Sequence, residues 1–223
     1  VIDAAVKKAA ARDGVSWILT FDPHPQKVLK PLSAPPLITS TPHKLELMAQ
    51  RGIDGCIVMP FTRPLAHEEP ETFIANLKRD VPNLHELIMG NSWTFGHRGQ
   101  GNVALMKTLA PKYGFQFEVV GPALWKGSAV SSTRIRQAIS RGHLDDAAEM
   151  LGRPFSILGT VVRGRGIGGR LLGCPTANLD PHNEVRPPSG VYATRVNLHG
   201  RTYHGAGFVA NPTDAQTTPS GFV

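Results

Sequence analysis

Ser16-Trp17-Ile18-Leu19-Thr20-Phe21-Asp22-Pro23-His24-Pro25 reads as a short apolar strand that runs into a proline-bounded loop. Proline has no N–H to give a ladder, so the strand predicted over 16–20 cannot continue through Pro23 and Pro25. His24 is thereby held in a rigid strand-exit loop. Upstream, residues 1–12 have the pattern of an amphipathic helix. Downstream, the two patterns alternate. A helix is predicted over 41–51, with Thr41 as cap and Pro42 in its first turn. Strands follow over 55–60, 84–89 and 115–120, and helices over 69–78, 102–113, 132–141 and 144–151. Such alternation predicts βαβ units in a parallel sheet with helices on both faces. Ligands of such sheets bind at the carboxyl ends of the strands.

The pattern changes after Leu151-Gly152-Arg153-Pro154. Short strands over 155–162, 176–179, 190–198 and 202–209, separated by Gly, Pro and Asn turns, predict an all-β unit, a small barrel. The predicted domains are therefore 1–152 and 153–223. The 223 residues are 41% hydrophobic and 18% charged, against a usual charged share of roughly 25%, so a core can form and disorder is not expected. The net charge of +7 favours anionic partners. No run of five like charges occurs, so small phosphorylated ligands are expected rather than nucleic acid. Cys56 and Cys174 lie far apart with no metal or redox spacing. No apolar stretch approaches a membrane span; a cytoplasmic protein with no membrane partner is expected.

Three loops carry chemistry. In Val130-Ser131-Ser132-Thr133-Arg134-Ile135-Arg136, hydroxyls and two arginines stand where a helix begins, a place that attracts phosphate. An ordinary helix cap with surface arginines fits the same residues. Gly90-Asn91-Ser92-Trp93-Thr94-Phe95-Gly96-His97-Arg98-Gly99-Gln100-Gly101 is a glycine-rich strand-exit loop, suited to close approach and equally to an ordinary turn. In the run from Gly159 to Leu179, Gly164, Gly166, Gly168 and Gly169 let backbone N–H groups approach phosphates. Thr176 and Asn178 alternate on a predicted strand, so both are expected on one face as oxygen ligands for Mg²⁺. A hairpin with a glycine bulge fits the same run.

These strings together resemble the bacterial bifunctional riboflavin kinase/FMN adenylyltransferase (FAD synthase) family. Val130 to Arg136 is similar to its I-S-S-T-x-I-R signature, Thr20 to Pro25 to its T-F-D-P-H-P string, and Gly169 to Asn178 to its G-R-x-L-G-x-P-T-A-N hallmark. The resemblance implies a Rossmann-like nucleotidyltransferase domain with a parallel sheet, then a partial riboflavin-kinase β-barrel. It implies that Ser131, Ser132, Thr133, Arg134 and Arg136 hold ATP phosphates in adenylylation. Phe21, Pro23, His24, Pro25, Asn91 and Phe95 would shape the flavin side. Gly164, Gly168, Gly169, Arg170 and Thr176 would cover ATP in the kinase, with Thr176 and Asn178 on Mg²⁺. ATP, riboflavin, FMN and FAD are the implied partners; homo-oligomerisation stays open.

The departures are Val130 for Ile, Ser92 where Asp or Asn is usual, and Cys174 for a larger apolar residue. Family members open with a G-x-F-D-G-x-H-x-G-H strand and close with a strand bearing a catalytic Glu. Neither is found, so both ends read as cut, and no catalytic residue or general base is assigned. The alternative is a catalytically inactive flavin- or nucleotide-binding fragment. A nicotinate-type adenylyltransferase is disfavoured by the string at 164–178.

Overall fold

The computed structural model describes residues 1–163 and 176–210. In chain order the first elements are α1 (Ile2–Ala10), β1 (Trp17–Asp22), α2 (Pro25–Leu29), α3 (Thr41–Ala49), β2 (Gly55–Pro60), α4 (Arg63–Ala66), α5 (Pro70–Asp80), β3 (Glu86–Gly90), α6 (Val103–Lys112) and β4 (Gln116–Val120). There follow β5 (Leu124–Trp125), β6 (Ser128–Ala129), α7 (Ser132–Ser140), α8 (Leu144–Leu151), β7 (Gly159–Val162), β8 (Asn178–Pro181), β9 (Gly190–Leu198) and β10 (Arg201–Val209). Packing separates two units: Val1–Pro35 with Lys44–Ala123, and Pro36–His43 with the chain from Leu124 onward.

In the first unit β1 pairs with β2 in parallel, from Trp17 opposite Gly55 to Asp22 opposite Pro60. β3 pairs with β4, also in parallel, from Glu86 opposite Gln116 to Gly90 opposite Val120. The expected alternation of strand and helix is present, and the pairing is parallel as such crossovers require. β1 runs two residues further than predicted, to Asp22, because its ladder with β2 closes only at the proline. The helices α2 and α4, each with a proline in its first turn, were not predicted.

The core of this unit joins Phe73 and Ile74 of α5, Met89 of β3, and Met106, Leu109 and Ala110 of α6, with Phe95 and Phe115 between them. Phe21 and Met59 pack against it from β1 and β2. Ile74 and Met106 are fully buried, each contributing about 1.5–3 kcal/mol. α1 has no buried residue. It is held by Lys8, 2.5 Å from Glu86 and 2.6 Å from Glu118, and by Arg12, 3.4 Å from Glu86.

In the second unit α7 and α8 supply Ile135, Ala138, Ile139 and Ala147 to a smaller core closed by Val185. α8 ends at Gly152 in the left-handed region (φ 67), a position glycine suits. The remaining strands pair antiparallel: β5 with β6, β7 with β8, and β9 with β10 over nine residues each. β7 is shorter than predicted, starting at Gly159, where the ladder with β8 starts. β8 begins at Asn178, opposite Val162, so Thr176 lies before the strand rather than on it.

Candidate functional site

The exit from β1 is built by its prolines. The Asp22–Pro23 peptide is cis, and Pro25 opens α2. His24 caps that helix: its Nδ1 accepts the Gln26 N–H at 3.1 Å. Phe21 is half-buried, edge-on to Phe61 at 5.4 Å. Of the flavin-side candidates here, Pro23 is exposed and His24 and Pro25 are half-buried.

The loop after β3 is tighter than its glycines suggest. Phe95 exchanges backbone hydrogen bonds with Gly101, at 3.1 and 2.8 Å. Its ring is 7% exposed, stacked on Trp93 at 4.6 Å and tilted against Phe73 at 5.9 Å. Phe95 thus belongs to the core cluster against which Phe21 also packs. Asn91 is exposed, anchored by its own N–H to the Val120 carbonyl at 3.2 Å.

At the start of α7, the Ser131 hydroxyl accepts the Arg134 N–H at 3.3 Å, an N-cap. Ser132 and Thr133 are exposed. The two arginines, two positions apart, do different work. Arg134 Nη1 donates to the Ser128 and Ala129 carbonyls at 2.9 and 2.7 Å, and its guanidinium lies 5.1 Å over the Trp125 ring. Arg136 Nε donates to the Pro36 carbonyl at 2.7 Å. Burial lowers the Arg136 pKa from its ordinary high value, since desolvation disfavours the charged form.

Sequence reasoning missed the β5–β6 hairpin. Lys126 Nζ lies 4.2 Å over Trp125 and 3.2 Å from Asp146, and Trp125 Nε1 donates to Glu149 at 2.6 Å. Lys126 and Gly127 both have positive φ, 48 and 73, as a two-residue hairpin turn requires. The Lys-Gly pair beside Trp125 was the available signal. Arg134 therefore braces this hairpin, a role its place in a phosphate-like motif does not suggest.

In the β part, Gly164, Gly168, Gly169 and Arg170 lie outside the described residues. Thr176 is exposed and Asn178 is 9% exposed at the first position of β8. Thr160 Oγ1 of β7 and Nε2 of His182, just past β8, share a hydrogen bond of 2.8 Å. Thr176 and Asn178 offer a hydroxyl and an amide oxygen, donors of the kind that Mg²⁺ takes. Among the described residues no group of three or more His, Cys, Asp or Glu is placed to hold a metal. No helix there is long and apolar enough to cross a membrane.

These elements define a two-unit protein, parallel α/β units first and antiparallel β pairs later. Residues 1–134 match the FAD synthetase family and residues 151–220 match the riboflavin kinase family. The chain belongs to the FAD synthetase family. It is 32% identical over 202 residues to the bifunctional riboflavin kinase/FMN adenylyltransferase of Listeria monocytogenes, covering 89% of this chain and 63% of that protein. To the enzyme of the same description from Buchnera aphidicola subsp. Schizaphis graminum it is 31% identical over 181 residues, covering 81% and 58%. The chain thus spans about 60% of the length of these curated relatives. A crystal structure of a macrolide-efflux protein from Streptococcus pneumoniae superposes with a TM-score of 0.79 at 27% identity, covering 95% of this chain and 69% of that one.

Proposed function

We propose that this chain carries the two nucleotide-handling units of a flavin-cofactor transferase. Residues 153–223 contribute to phosphorylation of riboflavin by ATP, giving FMN and ADP. Residues 1–152 contribute to adenylylation of FMN by ATP, giving FAD and pyrophosphate. The observation that carries this reading is the succession of the two family matches along one chain. On this reading the first unit is Rossmann-like and the β pairs are part of a barrel.

Ser132, Thr133 and Arg136 bind the triphosphate of ATP in adenylylation. Their support is the exposed hydroxyls at the helix N-terminus and the partly desolvated guanidinium one turn in. Ser131 caps the helix and Arg134 fixes the adjoining hairpin, so both act on ATP partly by holding that surface in place. Phe21, Pro23, His24, Pro25 and Asn91 shape the flavin side, with Phe95 supporting from the core. In the kinase, Thr176 and Asn178 hold Mg²⁺, which neutralises phosphate charge when bound, and Gly164, Gly168, Gly169 and Arg170 cover the nucleotide. Adenylyl transfer needs positioning and charge neutralisation more than a proton relay, which suits a site of hydroxyls, N–H groups and arginine.

The test separates flavins by chromatography after a protein of the relatives' full length containing this sequence is incubated with Mg-ATP and either riboflavin or FMN. Riboflavin is expected to give FMN, and FMN to give FAD. Thr176→Ala abolishes the first product and spares the second. FMN formation unchanged by Thr176→Ala refutes the kinase site; neither product from the unaltered protein refutes the function.

A further inference from the structure

Two histidines of the first unit have no part in the flavin or nucleotide reading. His67 follows α4, and His97 opens the 3-10 turn His97–Gly99 in the loop after β3. Their rings lie 5.4 Å apart, centroid to centroid, tilted by 35°. The backbone locks the two segments together: the His97 N–H donates to the Glu68 carbonyl at 2.6 Å. Beside it, Gly96 is pressed so closely on Pro70 that a Cβ would lie 2.6 Å from the Pro70 Cα. A cleft of about 450 Å³ opens against Pro64, Leu65, His67 and Glu68.

The proton on His67 is fixed by its neighbour. Nδ1 lies 2.7 Å from the Arg63 carbonyl oxygen. A carbonyl cannot donate, so Nδ1 carries the hydrogen, and in the neutral ring Nε2 is the nitrogen with the lone pair. Metal-binding imidazoles are oriented in this way by a carbonyl or carboxylate on the far nitrogen. On His97, Nδ1 is buried without a hydrogen-bond partner among the described residues. A buried polar atom left unpaired is costly, and a ligand would relieve it.

The ring separation also fits. A tetrahedral cation sits about 2.0–2.1 Å from each imidazole nitrogen, which with ring centres about 1.1 Å further back puts the centroids roughly 5 Å apart. The Glu68 carboxylate is taken up by Asn76 Nδ2 and is not needed as a ligand.

We propose that His67 and His97 form a two-histidine site for a borderline transition-metal cation of the Zn²⁺ class. Imidazole pairs select such ions over Mg²⁺ or Ca²⁺. Water from the cleft beside His67 completes the coordination, and the cation cross-links the end of α4 to the loop after β3. The proposal does not rest on the flavin reading.

The test is titration of the purified chain with Zn²⁺ in competition with a chromophoric chelator, alongside His67→Ala and His97→Ala. Because the chain has nine histidines, long-range ¹H–¹⁵N spectra of the imidazoles report which of them respond. Zn²⁺ is expected to move the His67 and His97 signals together, and Mg²⁺ to move neither. Each single substitution is expected to weaken binding at least about tenfold, the scale on which metal sites respond to lost support. Binding unchanged by either substitution, signals moving on other histidines only, or no binding at micromolar Zn²⁺ would overturn the proposal. The spectra of the unaltered chain decide the matter even where a variant fails to fold.

Discussion

Gly96→Ala tests whether the loop after β3 is held by packing rather than left to move. Gly96 has φ 69 and ψ −174, a backbone region that essentially only glycine occupies, and forcing a side chain into it costs about 1–3 kcal/mol. The added Cβ would lie 2.6 Å from the Pro70 Cα and 2.7 Å from its nitrogen, both backbone atoms at the start of α5. Overpacking of that kind costs a further 1–3 kcal/mol or so, because α5 is anchored by Phe73 and Ile74 and cannot simply slide. The sum, about 2–6 kcal/mol, is a large part of a typical domain stability of roughly 5–15 kcal/mol. Urea unfolding followed by circular dichroism should lower the midpoint by about 1–3 M, taking a slope near 2 kcal/mol/M. Gly90→Ala is the control: its φ is not positive and no atom lies within 4 Å of a Cβ there, so it should stay within about 0.5 kcal/mol of the parent. A Gly96→Ala chain as stable as the Gly90→Ala chain would refute the reasoning.

Two further outcomes follow from named hydrogen bonds. Ser131→Ala removes the cap of α7 and should cost about 0.5–2 kcal/mol in the same unfolding assay, while Ser131→Gly costs only a few tenths; no loss in Ser131→Ala would mean that the hydroxyl is not acting as a cap. Asp54 accepts the Ser16 N–H and hydroxyl at 2.8 Å each, and chiefly the N–H holds its carboxyl below the ordinary 3.8. A folded value below the unfolded one gives stability that is present above the ordinary carboxyl value and lost as pH falls through the lower folded value. Urea midpoints of the parent and of Asp54→Asn, measured between about pH 2 and pH 6, should therefore converge on acidification, and parallel curves would exclude this carboxylate as a source of acid sensitivity.

The alternation of strands and helices was legible because apolar runs such as Gly55–Pro60 and capped helices such as α7 carry their pattern locally. The elements missed are short. β5 and β6 have two residues each, too few for any periodicity, and α4 is a single turn, Arg63–Ala66. The candidate site was legible as a cluster of residue types and not as a division of labour. Nothing local separates Arg134, turned back on the Ser128 and Ala129 carbonyls, from Arg136, bound to a carbonyl 100 positions away. The family resemblance puts Phe95 on the flavin side, and nothing local in the sequence gives the direction of its ring. Its inward direction is set by Trp93, Phe73 and the bridge to Gly101, of which the Phe73 contact is made across the fold.

The attachment of α1 sets this helix apart from its neighbours in its response to solvent ions. Lys8 and Arg12 reach Glu86 and Glu118 with side chains that are 39% and 47% exposed, within reach of dissolved salt. At about 1 M ionic strength charges are screened within roughly 3 Å, so these pairs weaken as salt rises. Met106 and Leu109 hold α6 by burial, which excluded salts such as sulfate strengthen. A single addition of ammonium sulfate therefore tightens the grip on α6 while loosening the grip on α1. The first unit thus contains two fastenings that added salt moves in opposite directions.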